Sequence, residues 1–311
     1  MRRGILLPVL VAACATLLPA WAFALVGGPD VGNYVFVDSQ ETGGPALNRR
    51  DTPTVNATVS GCENCSASVT LPFTFRYYGV DRTSVQISSN GVISFGAAIN
   101  GATNLPVADG GATTPAIFAW WDDWNPGGYG DAQVRTGVSG SAPNRVFTVE
   151  WRNVRRSFLL PFVYGDGVTF QAQLFEGSNN IELHYVDVNH SFAFADNGRE
   201  GTVGIDGGST GGLQYSHNDF SLSDGLVIRF SQSRCGDGFV FGAEACDEGG
   251  ANSNTAADAC RLNCPLPRCG DDTVDSGEQC DDGASNGSAP DACRANCRVA
   301  FCGDGIVDSG E

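Results

Sequence analysis

Twelve cysteines, 35 carboxylates and three histidines hold the chemical options of this 311-residue chain. Cys62-Glu63-Asn64-Cys65 has the C-x-x-C spacing of a redox site. Thioredoxin-type chemistry needs a following helix whose N-terminus lowers the thiol pKa. Here Ser66-Ala-Ser-Val-Thr70 leads into a strand pattern, so a small structural disulfide is expected. Nine of the cysteines lie from Cys235 onward. Cys260-x-x-x-Cys264 comes near the pair spacing of a structural zinc site, but acidic Asp-Gly-rich flanks behind an export signal favour disulfides. Carboxylates recur at like positions in this region: Asp237, Glu244, Asp247 and Glu248, then Asp271, Glu278, Asp281 and Asp282. Oxygen ligands on a disulfide frame could take Ca²⁺; a solvated acidic surface is the competing reading. Asp122 and Asp123, with Asp131 beyond a Gly-rich loop, pose the same choice between a Ca²⁺ group and turn-forming aspartates. The histidines are His184, His190 and His217. No H-E-x-x-H or G-x-S-x-G occurs, and Gly137-Val-Ser-Gly-Ser141 misses the latter by one residue and lacks its strand–turn–helix setting. No Gly-rich phosphate loop stands between a strand and a helix. The chain is therefore expected to be no enzyme, to have no catalytic residues, and to use no cofactor beyond a possible Ca²⁺.

Charge narrows the partners. All 18 basic residues are arginine, against 35 acids, for a net charge of −17. Nucleic-acid binding needs a basic face, so that class is excluded. Past the N-terminus no apolar run reaches the ~20 residues that span a bilayer.

The first 24 residues read as an address. Arg2 and Arg3 precede an apolar run from Ile5 to Leu18, and Ala22-Phe23-Ala24 supplies a cleavage site. Export through the general secretory route to the extracellular space or a bacterial cell surface is expected, with the mature chain beginning near Leu25. Val11-Ala-Ala-Cys14 also fits a lipoprotein signal, but the residues after Cys14 stay apolar where a lipid tether is normally polar. Lipid anchoring at Cys14 is the alternative.

The elements that would position these groups are strands. Residues 25–234 show no sustained 3.6-residue periodicity. Leu71, Phe73, Phe75 and Tyr77 alternate onto one face, and Asn90-Gly91 between two β-rich runs predicts a type I′ hairpin. Further candidates run from Ala116 to Trp121, Arg145 to Trp151, Val168 to Phe175, Asn180 to Val186, Thr202 to Ile205 and Leu226 to Phe230, separated by Gly, Pro, Asn and Asp clusters. The expected fold is mostly β: an antiparallel β-sandwich followed by a small disulfide-rich repeat array. Trp120, Trp121, Trp124 and Trp151 could stack on a sugar, but the expectation is that they are core aromatics.

The same segment resembles a known family. Leu71-Pro-Phe-Thr-Phe75, Tyr78-Gly79 and Ser88-Ser-Asn-Gly-Val-Ile-Ser-Phe-Gly96 look like the opening of the nidogen-type extracellular domain and its bacterial secreted relatives. Phe118-Ala-Trp-Trp-Asp-Asp-Trp124, Arg145-Val-Phe-Thr-Val-Glu-Trp-Arg-Asn-Val154 and Phe170-Gln-Ala-Gln-Leu-Phe-Glu-Gly177 extend the likeness over residues of about 70 to 230. The resemblance implies an extracellular module linked to adhesion or matrix contact, usually without catalysis. Ser157-Phe-Leu-Leu-Pro-Phe-Val-Tyr164 departs from the pattern, as an extra strand or an exposed contact patch.

Composition changes at residue 235. The remaining 77 residues hold 15 acids and 4 arginines, a net of −11, with too few apolar residues for a conventional core. Cys235 to Gly249 aligns with Cys269 to Gly283, and a third copy opens at Cys302. The repeats are therefore placed at 235–268, 269–301 and, cut short, 302–311. They resemble the cysteine-rich disulfide repeat of secreted proteins from myxobacteria and related bacteria, which implies a stapled stalk or spacer. Copy one departs from the pattern: Phe241 stands where copies two and three have Asp275 and Asp308, and Ala243 replaces Gly277.

Within each copy, Asp258 to Cys264 and Asp291 to Cys297 read as one helical turn with Asp as N-cap. Side chains four apart on a helix run parallel, so Cys260 should not pair with Cys264, nor Cys293 with Cys297. Two connectivities remain, both tying that turn to Cys235 and Cys246, or to Cys269 and Cys280. Cys302 is left over, which implies that the full chain continues past Glu311.

The leading functional expectation is a secreted or cell-surface binding or adhesion module on a disulfide-stapled stalk, with an extracellular protein or carbohydrate as ligand. The alternatives are the accessory N-terminal region of a secreted hydrolase, and a structural spacer that binds calcium.

Overall fold

A computed structural model describes residues 25–53, 57–107, 114–127, 131–156, 166–189 and 196–311. The signal segment with Cys14, the apolar run 157–164 and His190 lie outside the described residues.

Two antiparallel sheets make up the first part of the chain. The strands are β1 (Val26–Gly27), β2 (Tyr34–Asp38), β3 (Ala57–Val59), β4 (Ser66–Tyr77), β5 (Val80–Ser88), β6 (Val92–Ser94), β7 (Ala116–Trp121) and β8 (Trp124–Asn125). They continue as β9 (Gln133–Ser139), β10 (Val146–Arg156), β11 (Val168–Phe175), β12 (Ile181–Asp187), β13 (Thr202–Asp206), β14 (Gly212–His217) and β15 (Val227–Gln232). One sheet has the order β1-β2-β15-β12-β11-β10-β9-β3, with β8 paired to β10; the other runs β14-β13-β7-β6-β5-β4. β2, near the start of the sandwich segment, pairs directly with β15, its last strand, so the two ends of that segment meet in one sheet.

Alternation along each strand builds the core, because successive side chains leave opposite faces. Leu71, Phe73, Phe75 and Tyr77 on β4 are buried and face Phe147, Val149, Trp151, Phe170, Leu174, Leu183 and Tyr185 from the large sheet within one cluster. Trp120, Trp124 and Trp151 are fully buried, and Trp121 is 8% exposed. Trp151 stacks on Phe170 with centroids 5.0 Å apart, and its indole N–H donates to the Ser88 carbonyl at 2.9 Å. None of these four rings is available as a sugar platform.

The Asn90-Gly91 connection differs from the expected type I′ turn. Ile87 faces Ile93 across the hairpin, and only Gly91 has positive φ, at 78°. This is a three-residue loop, which needs a left-handed residue only at its last position. Asn90 is instead buried, and its side-chain amide donates to Asn64 Oδ1 (2.7 Å) and to the Asn100 carbonyl (3.0 Å). A Cβ at Gly91 would sit 1.9 Å from the Trp120 carbonyl oxygen, so only glycine fits.

Residues 235–311 contain no helix or strand longer than two short 3₁₀ turns, Gly249–Ala251 and Gly283–Ser285. Disulfides take the place of a core. Cys235 joins Cys264 and Cys246 joins Cys260; Cys269 joins Cys297 and Cys280 joins Cys293. This nested pattern is one of the two left open by the sequence. The expected helical turn is absent. Asp258 and Asp291 have φ of 61° and 62°, and Cys264 and Cys297 are also left-handed. The Asp carboxylates leave the N-cap role because, as shown below, they hold the next copy.

Candidate interaction surfaces at the sandwich–repeat and repeat–repeat joints

Copy one meets the sandwich on the outer face of β2. Tyr34 and Phe36 point into the core, so Val35 and Val37 point out. Phe241 packs on both valines and is 7% exposed, with Phe239 partly buried beside it. A groove of about 210 Å³ runs along this joint, lined by Val37, Arg229, Ser231, Arg234, Phe239 and Phe241 among others.

The copies meet through charge. Arg261 of copy one is 3% exposed and reaches into copy two. Its Nε donates to Asp271 Oδ2 at 2.8 Å and its Nη2 to Asp275 Oδ2 at 2.6 Å, while Nη1 donates to the Ala256 and Ala259 carbonyls at 3.0 Å. Asp258 completes the clasp. Its N–H donates to Asp275 Oδ1 and its carboxylate accepts the Ser276 N–H, each at 2.7 Å. The set repeats one copy on, where Arg294 pairs with Asp304 and Asp308, and Asp291 exchanges bonds with Asp308 and Ser309. The departures of copy one now have a cause. Asp275 and Ser276 exist to receive the preceding copy, and copy one follows a β-sheet instead. Phe241 and Gly242 stand at those positions, and Gly242 abuts Pro29.

Replacing Phe241 by Asp would restore the residue of the other copies but place a carboxylate against Val35 and Val37, where no preceding copy supplies the arginine clasp that Arg261 gives Asp275. Phe241→Asp should undock copy one, losing about 2 kcal/mol of apolar contact. Small-angle scattering would then show a longer, broader distance distribution with the sandwich intact. An unchanged profile would contradict the docking role.

The candidate calcium ligands are engaged elsewhere. Asp247 Oδ2 accepts the N–H groups of Gly236 (2.8 Å) and Asp237 (3.1 Å), and its Oδ1 that of Gly249 (2.7 Å). Asp281 does the same with Gly270, Asp271 and Gly283. Glu244 and Glu278 accept from Phe241 and Asp275, Asp237 from Phe239, and Asp271 from Arg261. Glu244–Asp247–Cys264 and Cys269–Glu278–Cys297 come close enough to surround an ion, but each sulfur is committed to a disulfide. A cation here would compete with backbone N–H donors.

These bonds set an acid limit. The Arg261 guanidinium holds the Asp271 carboxyl below its ordinary value of about 3.8, and the Ser276 hydroxyl and N–H lower Asp258 likewise. For Asp281, burial pushes upward, but the backbone N–H bonds outweigh it and the net shift is down. Folded carboxyls below their unfolded values contribute stability above the unfolded pKa and lose it as pH falls through the folded one. The joints should therefore hold at pH 5 and open only below about pH 4. Amide exchange at Asp258 and Ser276 across pH would check this; opening already at pH 5 would refute it.

The remaining residues with chemical potential are in structural pairs. Cys62 and Cys65 form a disulfide. His184 is fully buried, with Nε2 3.0 Å from Glu182 and Nδ1 accepting the Asn48 N–H at 3.4 Å. His217 contacts Thr202 Oγ1 at 2.9 Å, and that hydroxyl donates to the Leu105 carbonyl. Asp131 bonds Asn153 and lies 3.9 Å from Arg152. Asp122 is 1% exposed against Arg156, and burial raises its carboxyl to about 6.

Sequence patterning missed a buried polar layer. Glu150, Gln171, Gln173 and His184 alternate with core residues on β10 to β12 and so read as solvent-facing. A strap at residues 48–52 covers them. Arg50 and Gln171 exchange N–H and carbonyl bonds at 3.1 and 2.7 Å, Gln173 donates to the Asn48 carbonyl, and Arg49 and Thr52 hold Glu150. Leu47, next to the strap in sequence, is exposed, so its hydrophobicity gives no sign of the cover.

Two packed antiparallel sheets and five disulfides define a disulfide-bearing β-sandwich module, an architecture that suits an oxidising, extracellular setting. The chain belongs to the NIDO-related family, whose model matches residues 33–229. No curated protein and no solved structure matches it.

Proposed function

We propose that the chain is an exported, non-catalytic binding or adhesion module displayed on a stapled stalk. The observation that carries this reading is the docked joint. Phe241 fixes copy one to the sandwich, and Arg261 fixes copy two to copy one, so the sandwich is held at the tip of a stiff array rather than tethered by a free linker. A rigid spacer presents a surface at a set distance and lowers the ordering cost of engagement. The family supports an extracellular role, and the paired histidines and carboxylates support a non-catalytic one. The burial of Trp120, Trp121, Trp124 and Trp151 favours a protein ligand over a carbohydrate, since stacking on sugar needs an open ring. The stalk segment is read as the myxobacterial-type repeat, and export as following from the N-terminal signal.

Purified chain, immobilised and exposed to extracellular matrix protein and to polysaccharide from the producing culture, tests this. Saturable retention lost on Phe241→Asp or on masking the sandwich would support display. Retention by residues 235–301 alone, or turnover of ester, peptide or glycoside substrates by this chain, would defeat it.

A further inference from the structure

The groove along the sandwich–repeat joint is built from both sides and holds unused donors. β15 supplies Arg229 and Ser231, the connection leaving the sandwich supplies Arg234, and copy one supplies Phe239 and Phe241 as an apolar wall. Arg229 is anchored by its Nε, which donates to Glu182 Oε1 at 2.9 Å, and its Nη groups have no partner among the described residues. Arg234 is exposed, and its guanidinium makes no ion pair or hydrogen bond among the described residues. Its backbone N–H alone is engaged, on Asp237 Oδ2 at 3.1 Å. Asp237, the carboxylate of the lining, also accepts the Phe239 N–H through Oδ1 at 3.1 Å, so backbone donors cap both its oxygens.

Charge sets this groove apart. The chain has a net charge of −17, yet two guanidiniums and one carboxylate line the groove. A guanidinium fork matches a carboxylate bidentately. Arg145 shows the fit within this molecule: its Nε and Nη2 donate to the two oxygens of Glu176 at 2.8 and 2.6 Å. At Arg234 the same fork is open to an outside partner. Size and the apolar wall narrow that partner. The volume of about 210 Å³ lies below the ~300 Å³ at which small-molecule pockets begin, so one or two side chains fit. Phe239 stands where copy two has Thr273 and copy three has Ile306, which places an aromatic ring beside the arginines in copy one alone among the three. A free phosphate would suit the guanidiniums but leave that ring unused.

We propose that the joint groove binds an acidic segment of a partner protein, with an Asp or Glu carboxylate on Arg234 and Arg229 and a neighbouring apolar side chain against Phe239. This rests on the reading of the chain as a binding module and moves the contact from the sandwich alone to the joint. Because copy one forms one wall, ligand binding and docking stabilise each other.

Fluorescence anisotropy of the full chain with a fluorescein-labelled peptide of three Leu-Glu repeats tests this. A Leu-Gln peptide of equal length is the control, and oligogalacturonate and inorganic phosphate are the competitors. The Leu-Glu peptide should bind saturably below about 1 mM and the Leu-Gln peptide about tenfold more weakly. Binding should weaken severalfold as salt rises to about 0.3 M. Arg234→Gln, a change at an exposed side chain, should weaken binding about fivefold, and Phe239→Ala should weaken it severalfold. Arg229→Gln should weaken it about tenfold; should that variant misfold by circular dichroism, the other two decide. Absence of saturable binding, equal binding of the two peptides, or binding unchanged in both Arg234→Gln and Phe239→Ala would overturn the proposal. Tighter binding of oligogalacturonate or phosphate than of the Leu-Glu peptide would overturn it too, in favour of a glycan or an anion. Matrix retention that survives Arg234→Gln and Phe239→Ala unchanged would overturn the groove alone and leave the module reading standing.

Discussion

Reduction under native conditions should melt the repeats and spare the sandwich. Loop closure makes each bond's contribution to copy one calculable: roughly 3.6 kcal/mol for Cys235–Cys264, with a separation of 29, and roughly 3.0 kcal/mol for Cys246–Cys260, with a separation of 14. Together these exceed anything the few buried side chains of a repeat can supply. The described sandwich holds only Cys62–Cys65, which closes a loop of separation 3, and its stability rests on the packed core between the sheets. Amide exchange in the presence of a phosphine reductant reads the difference. The N–H groups of Ala245, Ser253, Gln279 and Gly287 bond to carbonyls of disulfide cysteines and should lose protection. Those of Phe170 and Leu183 in the central ladder should keep theirs. Protection that survives reduction throughout 235–301 would show that the turns fold without their staples.

Loss of Arg261 should open the joint between copies one and two. Truncation to Ala leaves Asp271 and Asp275, both largely covered, facing each other with no cation between them. Breaking a buried charge pair in this way costs about 3 kcal/mol, the lower end of its range, because a thin repeat leaves solvent close at hand. Arg261→Lys should rescue little. A single ammonium cannot serve two carboxylates and the Ala256 and Ala259 carbonyls at once, as the planar guanidinium does. Amide exchange at Asp258 and Ser276 should rise in both variants while the disulfide-flanking amides of each copy stay protected. Protection at the joint equal to that of the unaltered chain would show that the copies are held by something else.

Much of the architecture was legible in the residues. The alternation of Leu71, Phe73, Phe75 and Tyr77 announced a core-facing strand, because one face of a sheet must be apolar to be buried. The tryptophans were readable as core for the same reason. The match between Cys235–Gly249 and Cys269–Gly283 announced a repeat whose cysteines pair within a copy. The substitution of Phe241 for the aspartate of the other copies was visible too, but its reason was not, since nothing local says that β2 lies against it.

Local sequence therefore determined the β character of the sandwich, its core faces and the stapled repeat. These depend on periodicity and spacing within short windows. Tertiary structure decided the strand order, the nested choice among disulfide connectivities, and the fate of the polar residues. Glu150, Gln171 and His184 sit on a face that alternation assigns to water, and a strap 101 to 136 residues earlier covers them through hydrogen bonds that carry no hydrophobic signature. Asp258 has the local pattern of a helix cap, yet it clasps Ser276 in the next copy, and Asp122 keeps an unpaired oxygen that only the packing of β7 against its neighbours reveals. A polar group's partner is set by which distant segment arrives beside it. Long-range placement alone settles that, because hydrogen bonds are short and directional whereas apolar burial asks only for a face.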